Sequence, residues 1–295
     1  MLPPGAHFWP VLPEVEILIL FEERTREYSA LLPQTASIKR FSFVLLCALS
    51  GSTSPSRKFS NAQSTIDKSM QPARIAALLR PFLDLCHSEK RSDEESAGLA
   101  PAQLASISIY IDILQRWNAR INLTAIRDPD EIVTRHFGES LFAARLLFPR
   151  VSLPSVRQGL AVADIGSGAG FPGIPLKLWA PQISLTLIES NHKKATFLRE
   201  VARALTLTDI NIRNVRAETL PLASFDVVTL RAVEQFASVL PTAAGLVRPG
   251  GRLALLIGSS QRSQASSSVP GLVWCDPIQT PSSTTRILLI ANKVA

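Results

Sequence analysis

The stretch ADIGSGAGFPGIPL, residues 163 to 176, constrains the fold more than any other part of the chain. An apolar run ends in glycines spaced GxGxG, at Gly166, Gly168 and Gly170, and Pro172 follows. Glycines this dense mark a backbone that turns left-handed or is approached closely by another group. The run before them, LAVADIG, reads as a buried strand, and PGIPLKLWA after them reads as a helix. A strand that passes through a glycine turn into a helix opens a doubly wound parallel sheet, whose ligands bind outside the carboxyl ends of the strands. Taken alone, the turn also serves as a tight strand-to-helix connection without a ligand.

The chain beyond it supports the sheet. SLTLIES, INIRNV, FDVVTLR, RLALLIG and RILLIA read as further strands, separated by the helical stretches KKATFLREVARAL and EQFASVLPTAAGLV. Continuous apolar strands with intervening helices predict an α/β fold, a Rossmann-like, mostly parallel sheet with helices on both faces, over residues 151–295. A small helical cap is expected over 70–150. There Ile75, Leu78, Leu79, Phe82 and Leu83 recur at helical spacing, as do Leu104, Ile107, Ile111 and Leu114. Asp128 is placed as an N-cap, with Pro129 at the first helical position and Glu131 three after the cap, and Val133, Phe137, Leu141 and Ala144 would face inward.

Residues 1–69 are different. SIKRFSFVLLCALSGS resembles a signal-peptide core but begins far from the amino terminus, and its apolar part is shorter than the roughly 20 residues a bilayer span takes. The surrounding Ser-, Pro- and Thr-rich sequence shows no sustained period. It is read either as a disordered extension or as sequence ahead of a true start at Met70. Of 31 basic and 24 acidic side chains, seven and six fall in this segment, so the net charge of +7 belongs mainly to the remainder. A basic globular part suggests a polyanionic partner such as nucleic acid. Cys47, Cys86 and Cys275 form no CxxC pair, which argues against a disulfide scaffold or a zinc site and for a reducing compartment.

Two carboxylates refine the ligand. Glu189 falls at the end of the second strand, where it can accept hydrogen bonds from both hydroxyls of a ribose. Asp164, just before the glycines, would repel a phosphate. A D-x-G-x-G-x-G turn followed by an acidic strand end looks like the S-adenosylmethionine (AdoMet) site of Rossmann-like methyltransferases, in which Ala217 and Glu218, after the third strand, would lie near the adenine.

NLTAIRDPDEIVTRHFGESL, DIGSGAGFPGIPL, TLIESNHKKATFLREV, VRAETLP and FDVVTLRAV occur in that order. Together they are similar to the glucose-inhibited division protein B family, the 16S ribosomal RNA guanine-N7 methyltransferases, over residues 72 to 293. The resemblance implies cofactor contacts at Gly166, Phe171, Ala217, Glu218 and Arg231, beside Gly168, Gly170 and Glu189 from the turn. It implies an active site lined by Asn122, His136, Arg216 and Arg231. On the residues alone Asn122 could cap a turn, His136 could be an interface hydrogen-bonder and Arg216 a solvated strand end. Arg231 follows the apolar FDVVTL at a strand's carboxyl end, which opens onto the ligand crevice. The chain departs from the family at Ile257, where a lysine is usual. The following SSQRSQASSSVPG is expected to be a mobile loop, and Arg286 stands for the basic residue at the start of the last strand.

The implied chemistry needs no base. Guanine N7 carries an in-plane lone pair and no proton, so positioning should dominate. Arg231 would hydrogen-bond either guanine O6 or the AdoMet carboxylate. Arg116, Trp117, Arg120, Arg127 and Arg135, with His192, Lys193, Lys194, Arg199 and Arg203, would form a phosphate-tracking surface or merely solvated helix faces. The expected protein is a cytoplasmic monomer that uses AdoMet and no metal, and acts on 16S ribosomal RNA or the small ribosomal subunit, away from membranes. A small-molecule methyltransferase and a non-catalytic AdoMet-sensing, RNA-binding module are the competing readings. Starting the chain at Met70 is expected to leave the melting temperature and activity unchanged, because no buried contact is lost; loss of soluble protein on truncation would make residues 1–69 part of the fold.

Overall fold

The structure, a computed structural model, describes residues 70–84, 98–149, 159–233 and 235–294. The extension at 1–69, the charged loop up to residue 97 and the boundary drawn at 150 lie outside the described residues. Helices α1 (Pro72–Leu83) and α2 (Pro101–Asn118) come first. Next a helix starts as α3 (Pro129–Glu131), continues as a π-helical segment, Ile132–Gly138, and ends as α4 (Glu139–Leu147). Its start follows the sequence. Asp128 is the N-cap, its carboxylate accepting from the Glu131 N–H at 2.9 Å, and Pro129 occupies the first turn, where a missing N–H costs nothing.

Strand and helix then alternate: β1 (Ala161–Ile165), α5 (Gly173–Trp179), β2 (Ser184–Ile188), α6 (His192–Ala204), β3 (Ile210–Arg213), β4 (Phe225–Arg231), α7 (Phe236–Leu246) and β5 (Val247–Gly258). After α8 (Arg262–Ser268) come two short strands, β6 (Leu272–Trp274) and β7 (Ile278–Gln279), and the last strand β8 (Arg286–Lys293). The sheet order is β3-β2-β1-β4-β5-β8-β6. Strands β1 to β5 are mutually parallel, and β8 enters antiparallel beside β5, with β6 and β7 along its other edge. This is a Rossmann-like sheet, as expected. Strand order reverses between β1 and β4, so the crevice lies outside their carboxyl ends.

Period-two alternation divides the strands between two cores. Val162, Leu185, Leu187, Val227 and Leu256 face one side, and Ala163, Ile165, Val228, Leu230 and Leu255 the other. The first side is filled by α1, α2, the 129–147 helix, α5 and α6 together, so the amino-terminal helices share one continuous core with the sheet. Helices α7 and α8 cover the second side.

The Ser-rich segment after β5 corrects an expectation. Its serines predict a mobile loop, yet residues 262–268 form α8, entered through a 3-10 turn, Ser259–Gln261, in which the Gln261 side chain accepts from the Gly258 N–H at 3.1 Å. Ala265, fully buried in the second core, supplies the apolar contact that the serines around it conceal.

Within the first core the π-helical segment lies against α1. A Cβ on Gly138 would fall 2.6 to 2.8 Å from three ring carbons of Phe82, too close for any side chain. Gly138→Ala is therefore expected to lower stability by about 1–3 kcal/mol, the usual cost of overpacking a filled site. Urea denaturation checks this, and an unchanged midpoint would contradict the packing of the π segment on Phe82.

Candidate active site

The glycine turn leaves β1 at the switch point, with Gly166, Gly168 and Gly170 all at positive φ (65°, 53° and 85°). The glycines answer to different neighbours. A Cβ on Gly170 would collide with the Tyr110 hydroxyl, which donates to the Ala169 carbonyl, so this glycine makes room for α2. A Cβ on Gly168 would meet only the Gly166 carbonyl, at 3.7 Å, so its main chain is open to approach. The Gly168 N–H donates to Glu189 Oε2 at 2.9 Å, and Glu189 Oε1 accepts from the Asn191 N–H at 2.7 Å. These bonds fix Glu189 against the turn, just past β2.

Asp164 lies underneath. It is 1% exposed, with Oδ1 accepting from the Thr229 hydroxyl at 2.9 Å and Oδ2 from the Gly173 N–H at 3.2 Å. Burial raises its pKa to about 7, against the pull of these hydrogen bonds. Its part is to tie β1, β4 and the start of α5 together. A carboxyl that is half protonated near neutrality repels a phosphate less than the sequence alone suggested.

Phe171, expected at the cofactor, is the middle of a ring stack. Tyr110 lies parallel to it on one contact (centroids 5.3 Å, 5°), His136 stacks on another (4.7 Å, 23°) and Phe137 meets it edge-on (5.0 Å). It is 6% exposed.

His136 leads from this stack to Arg231. The guanidinium lies at the carboxyl end of β4 with a side chain only 7% exposed. Its Nη2 donates to the Arg135 carbonyl at 2.6 Å and to Glu139 Oε2 at 2.9 Å, while Nη1 lies 2.9 Å from His136 Nδ1. A guanidinium only donates, so Nδ1 must accept and the imidazole proton sits on Nε2, from which it is given to Thr124 Oγ1 at 2.8 Å. Burial, with the nearby charges of Arg231, Arg135 and Arg286, pulls His136 down to about 3. Burial likewise lowers Arg231, and the Glu139 carboxylate opposes that shift. The Arg231 Nε is buried without a hydrogen-bond partner among the described residues.

The structure brings together Arg231, His136, Phe171 and the glycine turn, and Glu189 joins the turn. Ala217 is buried and Glu218 exposed in a 3-10 turn, Ala217–Thr219, after β3. That strand end is tied to Glu189 by the Asn214 amide, which donates to the Glu189 carbonyl at 2.8 Å. Arg216 is exposed there, and no contact among the described residues joins it to Arg231. Asn122 is exposed; its neighbour Asn118, buried at the end of α2, holds the NLT turn by accepting from the N–H groups of Leu123 and Thr124 and donating to the Thr124 carbonyl. Trp117 packs on Phe197 between α2 and α6 and donates to Glu200 at 2.9 Å. Ile257 is buried in β5 opposite Ile287.

Asn118, Thr124, Tyr110 and Glu139 escaped the sequence reading. Only Glu139 left a signal: an acid within the apolar run HFGESLFAA must be paired if it is buried. Among the described residues no group of three or more His, Cys, Asp or Glu is placed to hold a metal ion, and no helix is long and apolar enough to cross a membrane.

The crevice fits AdoMet in three respects. The main chain at Gly168 is open. The Glu189 carboxylate offers about four lone-pair sites and uses two on backbone N–H groups. Arg231 keeps its buried Nε–H unpaired among the described residues at the same strand ends.

The family described as rRNA small subunit methyltransferase G matches residues 103–270. The ribosomal RNA small subunit methyltransferase G of Xanthomonas axonopodis pv. citri (strain 306) is 38% identical over 203 residues, covering 68% of this chain and 91% of that one. Its counterpart in Chloroflexus aggregans is 36% identical over 209 residues, 67% and 84% of the two chains. Among solved structures, a SAM dependent methyltransferase from Aquifex aeolicus is 14% identical, with a TM-score of 0.45 over 62% of this chain and 98% of that one.

The depressed His136 sets a pH dependence. Between about 3 and 6.5 the folded protein keeps the ring neutral while the unfolded chain binds a proton there. The stability His136 supplies is thus full above about 6.5 and is lost as the pH falls toward 3. In urea melts the stability gap between wild type and His136→Gln should narrow as the pH is lowered from about 7 to about 4. A gap constant over that range would mean that His136 titrates alike in both states.

Proposed function

Because this chain belongs to the rRNA small subunit methyltransferase G family, we propose that its crevice binds AdoMet and directs the methyl group to N7 of a guanine in 16S ribosomal RNA. It is a methyltransferase of small-subunit ribosomal RNA with AdoMet as donor. The single observation that carries the site assignment is the meeting of the open Gly168 main chain, Glu189 and Arg231 at the ends of β1, β2 and β4.

When bound, AdoMet supplies an electrophilic methyl group on a sulfonium. Glu189 would accept the ribose hydroxyls with the lone pairs its two backbone bonds leave, and Ala217 and Glu218 would flank the adenine. The guanine N7 has a lone pair and no proton, so no residue needs to act as a base. His136 is unsuited to that role: its one ring lone pair is occupied by Arg231 and its pKa is about 3. It is a positioning residue: stacked on Phe171, it accepts from the Arg231 guanidinium. Arg231 would then be a fixed donor, its remaining N–H groups suited to a purine O6 or a carboxylate. Asn122 and Arg216, both exposed near the crevice, remain candidates for contact with the RNA, and a cytoplasmic, RNA-facing protein suits the basic charge.

The test is single-turnover transfer from labelled AdoMet to 16S ribosomal RNA transcribed without modification, followed by nucleoside analysis. Label is expected in 7-methylguanosine, and Arg231→Ala at saturating RNA should slow transfer by about tenfold or more, some 1.4 kcal/mol. Label in another nucleoside would overturn the N7 assignment. Transfer only to small molecules would overturn the RNA substrate, and an Arg231→Ala rate equal to wild type would remove Arg231 from the site.

A further inference from the structure

Beside the crevice lies a second cavity of about 350 Å³, walled by Thr134, Arg135 and Glu139 of the 129–147 helix and by Ser283, Thr285 and Arg286 at the entry to β8. Glu139 is common to both. Its Oε2 faces Arg231 at 2.9 Å, and its Oε1 faces the cavity, 3.4 Å from Arg286 Nε and 4.0 Å from Arg135 Nε.

The charges here do not balance. Three guanidiniums, of Arg135, Arg231 and Arg286, meet two carboxylates, the buried Glu139 and the half-exposed Glu131 that pairs with Arg135 Nη1 at 3.2 Å. His136 is neutral and adds nothing. Within this ion-paired cluster one positive charge is left over, Asp164 feeling Arg231 without pairing with it, and its effect is felt inward, where Arg286 and Arg135 both push down the pKa values of His136 and Arg231. The surplus sits on groups able to bind. Among the described residues the terminal nitrogens of Arg286 have no hydrogen-bond partner, although its side chain is 33% exposed and its Nε is anchored on Glu139.

The loop that carries Arg286 is built rather than slack. Ser283 Oγ accepts from the Arg286 N–H at 3.1 Å, the Gln279 amide donates to the Ser283 and Arg286 carbonyls, and the Thr285 carbonyl accepts from the Ser259 N–H at 2.7 Å at the end of β5. Because Ser283 Oγ accepts here, its own hydroxyl hydrogen is left to donate into the cavity, as is that of Thr285.

We propose that this cavity is a phosphate subsite, in which Arg286 and Arg135 hold one backbone phosphodiester of the RNA adjoining the base that enters the crevice. A diester carries one negative charge, matching the surplus, and its two free oxygens suit guanidinium and hydroxyl donors in a partly buried site. The shared Glu139 would couple the subsite to Arg231, so that seating the backbone and orienting the base are one event. The inference rests on the RNA reading of the crevice.

The test measures affinity for unmodified 16S ribosomal RNA across a salt series with wild type, Arg286→Gln and Arg135→Gln, with AdoMet affinity followed by calorimetry. Each variant is expected to bind the RNA roughly tenfold more weakly. Each should also reduce the slope of log affinity against log salt by up to about 0.7, the share of one single-strand phosphate, with AdoMet affinity unchanged. A neutral methylphosphonate beside the guanine that receives label should weaken wild type and leave Arg286→Gln almost unaffected. The Arg135 side chain is 40% exposed against 33% for Arg286, so its variant decides the matter should Arg286→Gln fold poorly. Wild-type slopes in a folded variant, with methyl transfer to RNA established, would overturn the subsite alone. Absence of salt-dependent RNA binding and of transfer in the wild type would overturn the RNA reading and the subsite with it.

Discussion

A guanidinium buried at the end of β4 is the constraint around which the crevice is arranged. Arg231 cannot lose its charge, so the fold must surround it with acceptors. Three come from a single turn of the π-helical segment and its continuation: the Arg135 carbonyl, His136 Nδ1 and Glu139 Oε2. A π-helical turn is widened relative to an α-helical one and recurs at functional sites. Here it presents a main-chain carbonyl, a ring nitrogen and a carboxylate to the same cation. Removing one partner of such a buried pair commonly costs about 3–5 kcal/mol, because the other charge is left stranded. The amino-terminal helices are thereby locked to the carboxyl end of β4, beside the crevice where a ligand would bind.

The lock reaches the glycine turn through aromatic rings. His136 stacks on Phe171, Phe171 on Tyr110, and the Tyr110 hydroxyl reaches back to the Ala169 carbonyl inside the turn. Gly170 has no side chain because Tyr110 stands where one would be, whereas Gly168 faces open space. The dense glycines thus serve two ends, one to admit α2 against the turn and one to leave main chain bare. Beneath them Asp164 binds the two central strands and α5 together. Rings, cation and turn form one connected body, suited to a reaction in which alignment of donor and acceptor lowers the barrier and no proton has to move.

The long strands, the helices of the first core and the Asp128 cap were legible because they rest on local signals: apolar runs, helical spacing and capping chemistry. The short strands were not. Leu272–Trp274 and Ile278–Gln279 are too brief to show a period and exist because β8 offers them an edge. Helix α8 hid among serines, with Ala265 as its one buried anchor. Of the candidate site, the glycine turn and Glu189 can be proposed from the residues themselves and His136 and Arg231 with the resemblance, but their partners cannot. Arg231 and Glu139 are 92 positions apart and Tyr110 and Ala169 are 59 apart, pairings that only the folded sheet creates. Asn122 sits inside the NLT run that carries the resemblance, while Asn118, the side chain that holds that turn, lies four residues earlier.

The central claim is that the site works by fixed geometry, with a neutral His136 holding Arg231 and no residue acting as a base. The pH dependence of single-turnover methyl transfer to 16S ribosomal RNA, at saturating AdoMet and RNA, tests it most directly when wild type and His136→Gln are compared. The account predicts profiles of the same shape, with no limb near the ordinary histidine pKa of about 6.5 that belongs to His136. A limb at that pH present in wild type and missing from His136→Gln would show a histidine that titrates during catalysis, and would contradict it.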